Sequence, residues 1–505
     1  MVSSIFTSYL SFAANILVTI LLTPFLIYYL GQSGYGLWAT LGSVLAYLSL
    51  LDLGLSGTST KFIAQYRASN DQHGLNIFVT TVFITYFILG IVALGLSILV
   101  SFHLAGFFQL SFDLAETAKG FFLVAGVNFA LSFPLAPLNG ILFGYQRVDL
   151  LNLINTLGFL CNGFLSVLVL KNGLGLVGMA WVALGINLSS AALKWSFIRR
   201  KFPHVRIYPA LFNLGVLKNA LTYAFYLLII SVGAQIVFNT DNIIISKYLG
   251  IAAVTAYAVA FRLIFVLMQF IFKIADVLAP VFSELHTLKD TVRLRAVYLE
   301  SSKVSVALAI PVVIILVFFG EEVIRLWIGE GNFVGTPTLM TLAALTFMHS
   351  FVHPGAVMLT GAGKMRGICF FNMAEAAFNL FLSIALVRHM GVLGVALGTI
   401  LAHALTNLWY IPASAAKEVG LSIRRYIQLV LLRPMLAGLP AITMAIFLRR
   451  LILDGNGLML AGFSLAIFVV YLLGFLSLGV TGEERSLYRQ KFRSLVGNST
   501  RSRLE

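Results

Sequence analysis

Charge is what this 505-residue chain lacks most: 10% of its residues are Asp, Glu, Lys or Arg, against about a quarter in a soluble protein. Acidic residues are scarcer still, 19 against 34 basic ones. Cysteine is nearly missing. Cys161 and Cys369 each lie inside an apolar segment, so neither a disulfide framework nor a thiolate metal site is expected. His349 and His353 are one turn apart but have no third ligand, and a polar helix contact is expected of them rather than a metal site. Gly361-Ala362-Gly363-Lys364 lacks the upstream Gly and following Ser or Thr of a phosphate loop, so no ATPase site and no cofactor are expected. The net charge of +15 does not imply nucleic acid, because the basic residues fall in short connections between apolar runs.

Those runs are what the sequence has in abundance. Hydrophobic residues make up 59% of the chain and the mean hydropathy is +0.95. A chain so apolar cannot cover its surface in water, and lipid is its natural solvent. Windows of about 20 apolar residues predict fourteen membrane-spanning helices: 5–30, 36–53, 76–103, 117–141, 148–170, 173–197, 217–240, 251–273, 303–320, 337–361, 368–388, 391–412, 430–450 and 457–480. The first is long for a cleaved signal and lacks a basic leader, so it is expected to be retained. The second is expected to run on past Asp52, since only Gly54 and Gly57 interrupt it. With the N-terminus in the cytoplasm, 26 of the 34 Lys and Arg residues fall on the cytoplasmic side, Lys194 and Lys303 among them; 7 fall outside, and Arg262 is left within a span. Both termini are therefore expected in the cytoplasm. The connection 283–302, with Leu285, Leu288, Val292 and Leu299 among charges, predicts an amphipathic helix on the membrane surface. A basic tail, 483–505, follows the last span.

The chain repeats itself at an offset near 217. Pro137, Gly144, Asn155, Asn162 and Ser166 match Pro354, Gly361, Asn372, Asn379 and Ser383. At 216, Gly175 and Gly178 match Gly391 and Gly394; at 219, Tyr29-Leu30-Gly31 matches Tyr248-Leu249-Gly250. Six spans separate the copies, so they share one membrane orientation. Parallel repeats of this kind build the rocking lobes of transporters. The expected division is an N-lobe over 1–200, a C-lobe over 201–416 and two extra helices over 417–482.

Polar groups inside spans are costly and mark functional candidates. Arg262, Gln269, Lys273 and Asp276 share one helical face. Arg262 is either a cavity cation for an anionic substrate or half of an ion pair with Asp241 or Glu375. Gln235, Asn239 and Asn242 form a stripe in span 7, and Ser8, Asn15, Thr19 and Thr23 form one in span 1. Both stripes are expected to face the cleft between lobes, with ordinary interhelical hydrogen bonding as the alternative. Asp52, Asp241, Glu375 and Asp276 either carry a coupling ion or balance a nearby cation. Lys61 and Arg67 either line the cytoplasmic mouth or anchor at the headgroups.

Several stretches also resemble a known family. They are Tyr29-Leu30-Gly31-Gln32-Ser33-Gly34-Tyr35-Gly36-Leu37-Trp38, then Leu50-Leu51-Asp52-Leu53-Gly54-Leu55 leading to Lys61-Phe62-Ile63-Ala64. Asp241-Asn242-Ile243-Ile244-Ile245 and Tyr257-Ala258-Val259-Ala260-Phe261-Arg262-Leu263 look like the second-lobe counterparts. Together they resemble the oligosaccharide (O-antigen or exopolysaccharide) flippases of the MOP superfamily. The resemblance implies an all-α polytopic inner-membrane protein with two parallel six-helix lobes in a V shape. It implies a substrate of undecaprenyl-diphosphate-linked oligosaccharide, held by cavity cations such as Arg262 and Lys273. A proton or sodium ion is the expected coupling partner, with glycan polymerase machinery as a further partner. The alternatives are a lipid II flippase, which would carry more intramembrane arginines, and a MATE-type cation or drug antiporter, which would hold acids at its site. A membrane glycosyltransferase, polymerase or ligase would need a large external loop, and neither 103–116 nor 320–336 offers one.

Overall fold

The computed structural model describes residues 2–451 and 457–480. The basic tail expected at 483–505 lies outside these residues. The described residues are helical throughout, with no strand, as a chain must be when lipid offers no partner for open backbone groups. In order the helices are α1 (Val2–Leu48), α2 (Leu55–Ala68), α3 (Gln72–Phe108), α4 (Phe112–Gly144), α5 (Val148–Lys171) and α6 (Gly175–Lys201). Then come α7 (Leu214–Leu249), α8 (Ile251–Asp276), α9 (Ala279–Thr287), α10 (Thr291–Ile328), α11 (Thr336–Gly361) and α12 (Met365–Leu405). The last are α13 (Asn407–Glu418), α14 (Ile423–Ile427), α15 (Arg433–Ala437), α16 (Leu439–Arg449) and α17 (Gly457–Gly474).

Twelve helical stretches among the described residues are long and apolar enough to cross a membrane. Two of them, 7–68 and 365–418, are 62 and 54 residues long, more than twice the ~20 needed for one crossing. Each is bent at a glycine with non-helical backbone, Gly31 (φ 68°) and Gly391 (φ 58°). All fourteen windows read from the sequence accordingly fall on helix. The chain is a polytopic all-α membrane protein, and its outer faces carry large apolar side chains such as Phe102, Phe164 and Trp181.

Two local expectations fail. The second span does not run on past Asp52. A tight 3-10 turn (Ser49–Asp52) and two left-handed residues, Leu53 and Gly54, end it and restart the chain as α2. Gly54 is also pinned by packing, since a Cβ there would lie 2.7 Å from the Ala224 carbonyl oxygen. The connection 283–302 is not one surface helix either. It is the end of α9, a left-handed break at Lys289, and the start of α10. Leu285, Leu294 and Tyr298 are buried, while Leu288 and Val292 are exposed. The apolar set is therefore split between an inward face, where α9 packs on α10 and α11, and an exposed one.

The chain divides into two compact units, 1–259 with 372–399 and 260–371 with 400–505. In the first, α3 packs on α4, α4 on α6, and α1 on α5 and α7. In the second, α11 packs on α10 and α13, and α16 and α17 lie on α10.

The repeat extends to backbone conformation. Left-handed residues recur at matching positions: Gly31 and Gly250, Asn70 and Lys289, Gln146 and Gly363, Gly175 and Gly391. The helix caps match too. Asp71 accepts from the Gly74 amide at 2.8 Å and Asp290 from the Arg293 amide at 3.0 Å. A side-chain oxygen at such a cap satisfies an amide that the helix itself cannot.

Candidate functional site

α7 carries the polar stripe read from the sequence, and the structure gives its members partners. Gln235 donates to Ser49 at 2.6 Å, Asn239 donates to Gln235 at 2.5 Å, and Asn242 donates to Ser43 at 3.0 Å. Tyr47 and Thr240 are also bonded. These bonds tie α7 to the end of α1 and the turn after it. In the span-1 stripe, Ser8 accepts from Asn152 on α5 at 2.8 Å, and Thr19 and Thr23 are buried. Such interhelical bonds are the ordinary glue of membrane bundles.

Next to this stripe, Asp241 points to a different set of groups. It is 3% exposed. Tyr257, from α8, donates to its carboxylate. Thr399 Oγ1, from α12, lies 3.2 and 3.3 Å from its two oxygens. Asn379 donates its side-chain amide to Thr399 at 2.8 Å. Its own Oδ1 is buried with no hydrogen-bond partner among the described residues. The Val395 carbonyl lies 3.2 Å from Thr399 Oγ1 and 3.3 Å from Ser383 Oγ. A carboxylate, two hydroxyls and the side-chain amide of Asn379 thus meet from three helices. A buried carboxylate among such neutral groups can take up a proton or a hard cation. Asn379 was visible in the sequence as a repeat match on one face with Glu375, Ser383 as a repeat match and Tyr257 within a family-like stretch, and Thr399 was not singled out.

The remaining predicted residues fall elsewhere. Asp52 accepts from Tyr86 and, at 2.9 Å, from the Ser56 hydroxyl, which holds the break before α2. Lys61 is exposed on α2. Arg67 donates to the Gly144 carbonyl at 3.1 Å and lies over the Tyr145 ring. A cation there complements the C-terminal end of α4. Glu375 is buried on α12.

In the second unit, Arg262 is exposed on α8, with Gln269 and Lys273 half-buried on the same face. Asp276, at the end of α8, is paired with His353 of α11 at 2.8 Å. The His353 ring also stacks on Phe272 at 4.0 Å, and His349 lies 4.0 Å from the His403 ring. His353 makes the polar helix contact expected of the pair, but the expectation that no further ligand group joins His349 fails, because His403 brings a second imidazole beside it.

Two buried lysines escaped the sequence reading, Lys303 on α10, which is 2% exposed, and Lys194. Lys194 is 9% exposed within α6. It donates to Asn139 of α4 at 3.0 Å and to Asn155 of α5 at 3.2 Å. No acidic group pairs with it among the described residues. Counting it with the cytoplasmic cations hid it. The available signal was its place seven residues inside the end of α6, with asparagines on the two preceding helices.

Comparison with known proteins follows this geometry. A family model described as "Polysaccharide biosynthesis protein" matches residues 26–331, more than half the chain. The putative O-antigen transporter of Salmonella typhi is 23% identical over 402 residues, 78% of this chain and 91% of that one. Among solved structures, the lipid II flippase MurJ in an inward closed conformation superimposes with a TM-score of 0.72 at 16% identity, covering 98% of this chain and 100% of that one. An inward-facing MATE-family multidrug resistance transporter of the MOP superfamily gives 0.68 at 17% identity, covering 81% and 96%. The family match and the shared fold lead to one conclusion: the chain belongs to the polysaccharide biosynthesis protein family and is built on the fold of the MOP-superfamily transporters.

Proposed function

We propose that the protein is a flippase that moves an undecaprenyl-diphosphate-linked oligosaccharide across the cytoplasmic membrane by alternating access. The observation that carries this reading is the parallel repeat, with left-handed breaks at matching positions in both copies. Repeats of this kind make lobes that rock against each other. In the proposal the lobes are 1–200 and 201–416, 417–482 supplies two extra helices, and both termini are cytoplasmic. The name of the Salmonella relative supports a glycan cargo over a drug.

In this reading the exposed guanidinium of Arg262, with Lys273 and Gln269 on the same face of α8, receives the diphosphate. Guanidinium groups suit phosphate oxygens because their paired donors match them. Lys61 and Arg67 attract the substrate toward the cytoplasmic mouth, and Gln235 and Asn239 contact the sugars when the helices part. The Asp241 cluster holds the coupling proton or sodium ion, since its carboxylate is buried and held only by neutral groups. Asp52, Asp276 and Glu375 balance charge.

A leaflet assay in proteoliposomes tests the reading. Wild-type protein should deliver lipid-linked oligosaccharide to the opposite leaflet. Arg262→Ala should abolish delivery while the protein still inserts. Unchanged delivery by Arg262→Ala would reduce that residue to a structural role, and no delivery by the wild type would remove the flippase reading. Replacing sodium at constant pH and membrane potential should show which ion Asp241 serves.

A further inference from the structure

The strongest unassigned feature is a basic cavity of about 540 Å³ in the second unit, at the start of the span 423–449. Its lining includes Arg424, Arg425, Gln428, Leu429, Leu432 and Arg433. All three arginines are exposed. Their guanidinium groups have no side-chain partner among the described residues. Three cations within ten residues repel one another unless an anion joins them.

The backbone is arranged to bring two of them into line. In an uninterrupted α-helix, eight residues turn about 800°, which would leave Arg425 and Arg433 roughly 80° apart. Gln428–Leu432 is instead a π-helical turn, closed by the Arg433 amide bonding to the Gln428 carbonyl. An i→i+5 turn takes in one extra residue, so it sets the following phase back by about 100°. Arg433 then falls within about 20° of Arg425, one above the other on a single face. A π-turn forgoes regular hydrogen bonding and recurs at functional sites.

The rest of the lining indicates what kind of anion fits. Leu429 and Leu432 form an apolar wall. Beyond them Leu436 and Leu439 continue along the span as exposed apolar side chains. Cations sit toward one end of this stretch, and exposed apolar side chains run away from them. That pattern matches an amphiphile with an anionic head and an acyl or prenyl tail.

We propose that this pocket binds the phosphate head of a membrane lipid, with Arg425 and Arg433 clamping the phosphate oxygens and Arg424 supporting them from the side. Guanidinium–phosphate pairing is charge-assisted and bidentate. The tail lies along Leu432 and Leu436.

The test uses the full chain in phosphatidylcholine nanodiscs, with retained lipid read by native mass spectrometry. One arm adds phosphatidylglycerol and the other adds polyprenyl diphosphate. Wild-type protein should retain at least one of them over phosphatidylcholine. The arm that competes better identifies the source, either a resident phospholipid or the head of a lipid-linked glycan carrier. Arg425→Gln with Arg433→Gln should weaken retention about tenfold, as expected for losing charge-assisted hydrogen bonds. Arg424→Gln should weaken it less. Retention that is unchanged in the double variant overturns the proposal. On the wild-type chain alone, no preference over phosphatidylcholine overturns it, as does equal competition by soluble pyrophosphate, which has no tail. The readout is binding, so it stands apart from the transport reading.

Discussion

Two buried charges lie in the same compact unit of this protein, and they are held in opposite ways. Lys194, among α4, α5 and α6, is a cation supported by two asparagine oxygens. Asp241, among α7, α8 and α12, is a carboxylate supported by the hydroxyls of Tyr257 and Thr399. The repeat connects them. Asn155 beside the lysine matches Asn372, and Asn379 beside the aspartate matches Asn162. The charges themselves have no match. At the same offsets Lys194 falls on Tyr410 or Ile411, and Asp241 falls on Leu22. Around these two residues the scaffold kept its asparagines while the charge they neighbour differs in sign. Neutral amide oxygens suffice for an ammonium, which only donates. A carboxylate only accepts, so it needs donors, which here are mainly hydroxyls.

The comparison can be broken at its centre. Asp241→Ala is expected to have the largest effect, lowering transport on the order of a hundredfold and removing its ion dependence, as intramembrane acids on ion pathways do. Transport with wild-type ion dependence would assign Asp241 the same scaffolding part as the α7 stripe. A smaller effect is expected from Lys194→Met, which leaves two half-buried asparagine oxygens without this donor and should cost about 1 kcal/mol in stability. Lys194→Met with Asn139→Leu and Asn155→Leu should recover most of that loss, because no polar group is then left unpaired. Thermal unfolding in detergent measures both. If the triple change costs more than the single one, Lys194 is not simply a packed polar group. The smallest effect is expected from Arg67→Gln, which loses the bond to the Gly144 carbonyl and should cost about 1 kcal/mol. Its readout is the same unfolding curve.

Much of the fold was legible because lipid imposes one rule on every span. The fourteen apolar windows all fall on helix, and the repeat offsets located the glycines at which both copies bend. The break after Asp52 was not legible, because a left-handed Leu53 carries no local signal and Gly54 is fixed by its approach to Ala224. The connection 283–302 misled because an amphipathic pattern reads alike whether its apolar face meets lipid or protein.

The site was legible only in part. Asp241, Gln235 and Asn239 were found, since a polar residue in an apolar run stands out. Their partners were not all found, because Thr399 lies 158 residues from Asp241 and hydroxyls are common in spans. Lys194 was mistaken for a loop cation because depth in a bundle is not a property of sequence position.

The sequence by itself determined the solvent, the helical class and the duplication. Each follows from the backbone's need for hydrogen bonds in hydrocarbon or from a fixed offset along the chain. Only the tertiary structure decided which polar groups meet. Grouping Asp241 with Thr399, and aligning Arg425 with Arg433, depends on helix phase and packing across long separations, and a π-turn or a left-handed residue changes that phase without a mark in composition.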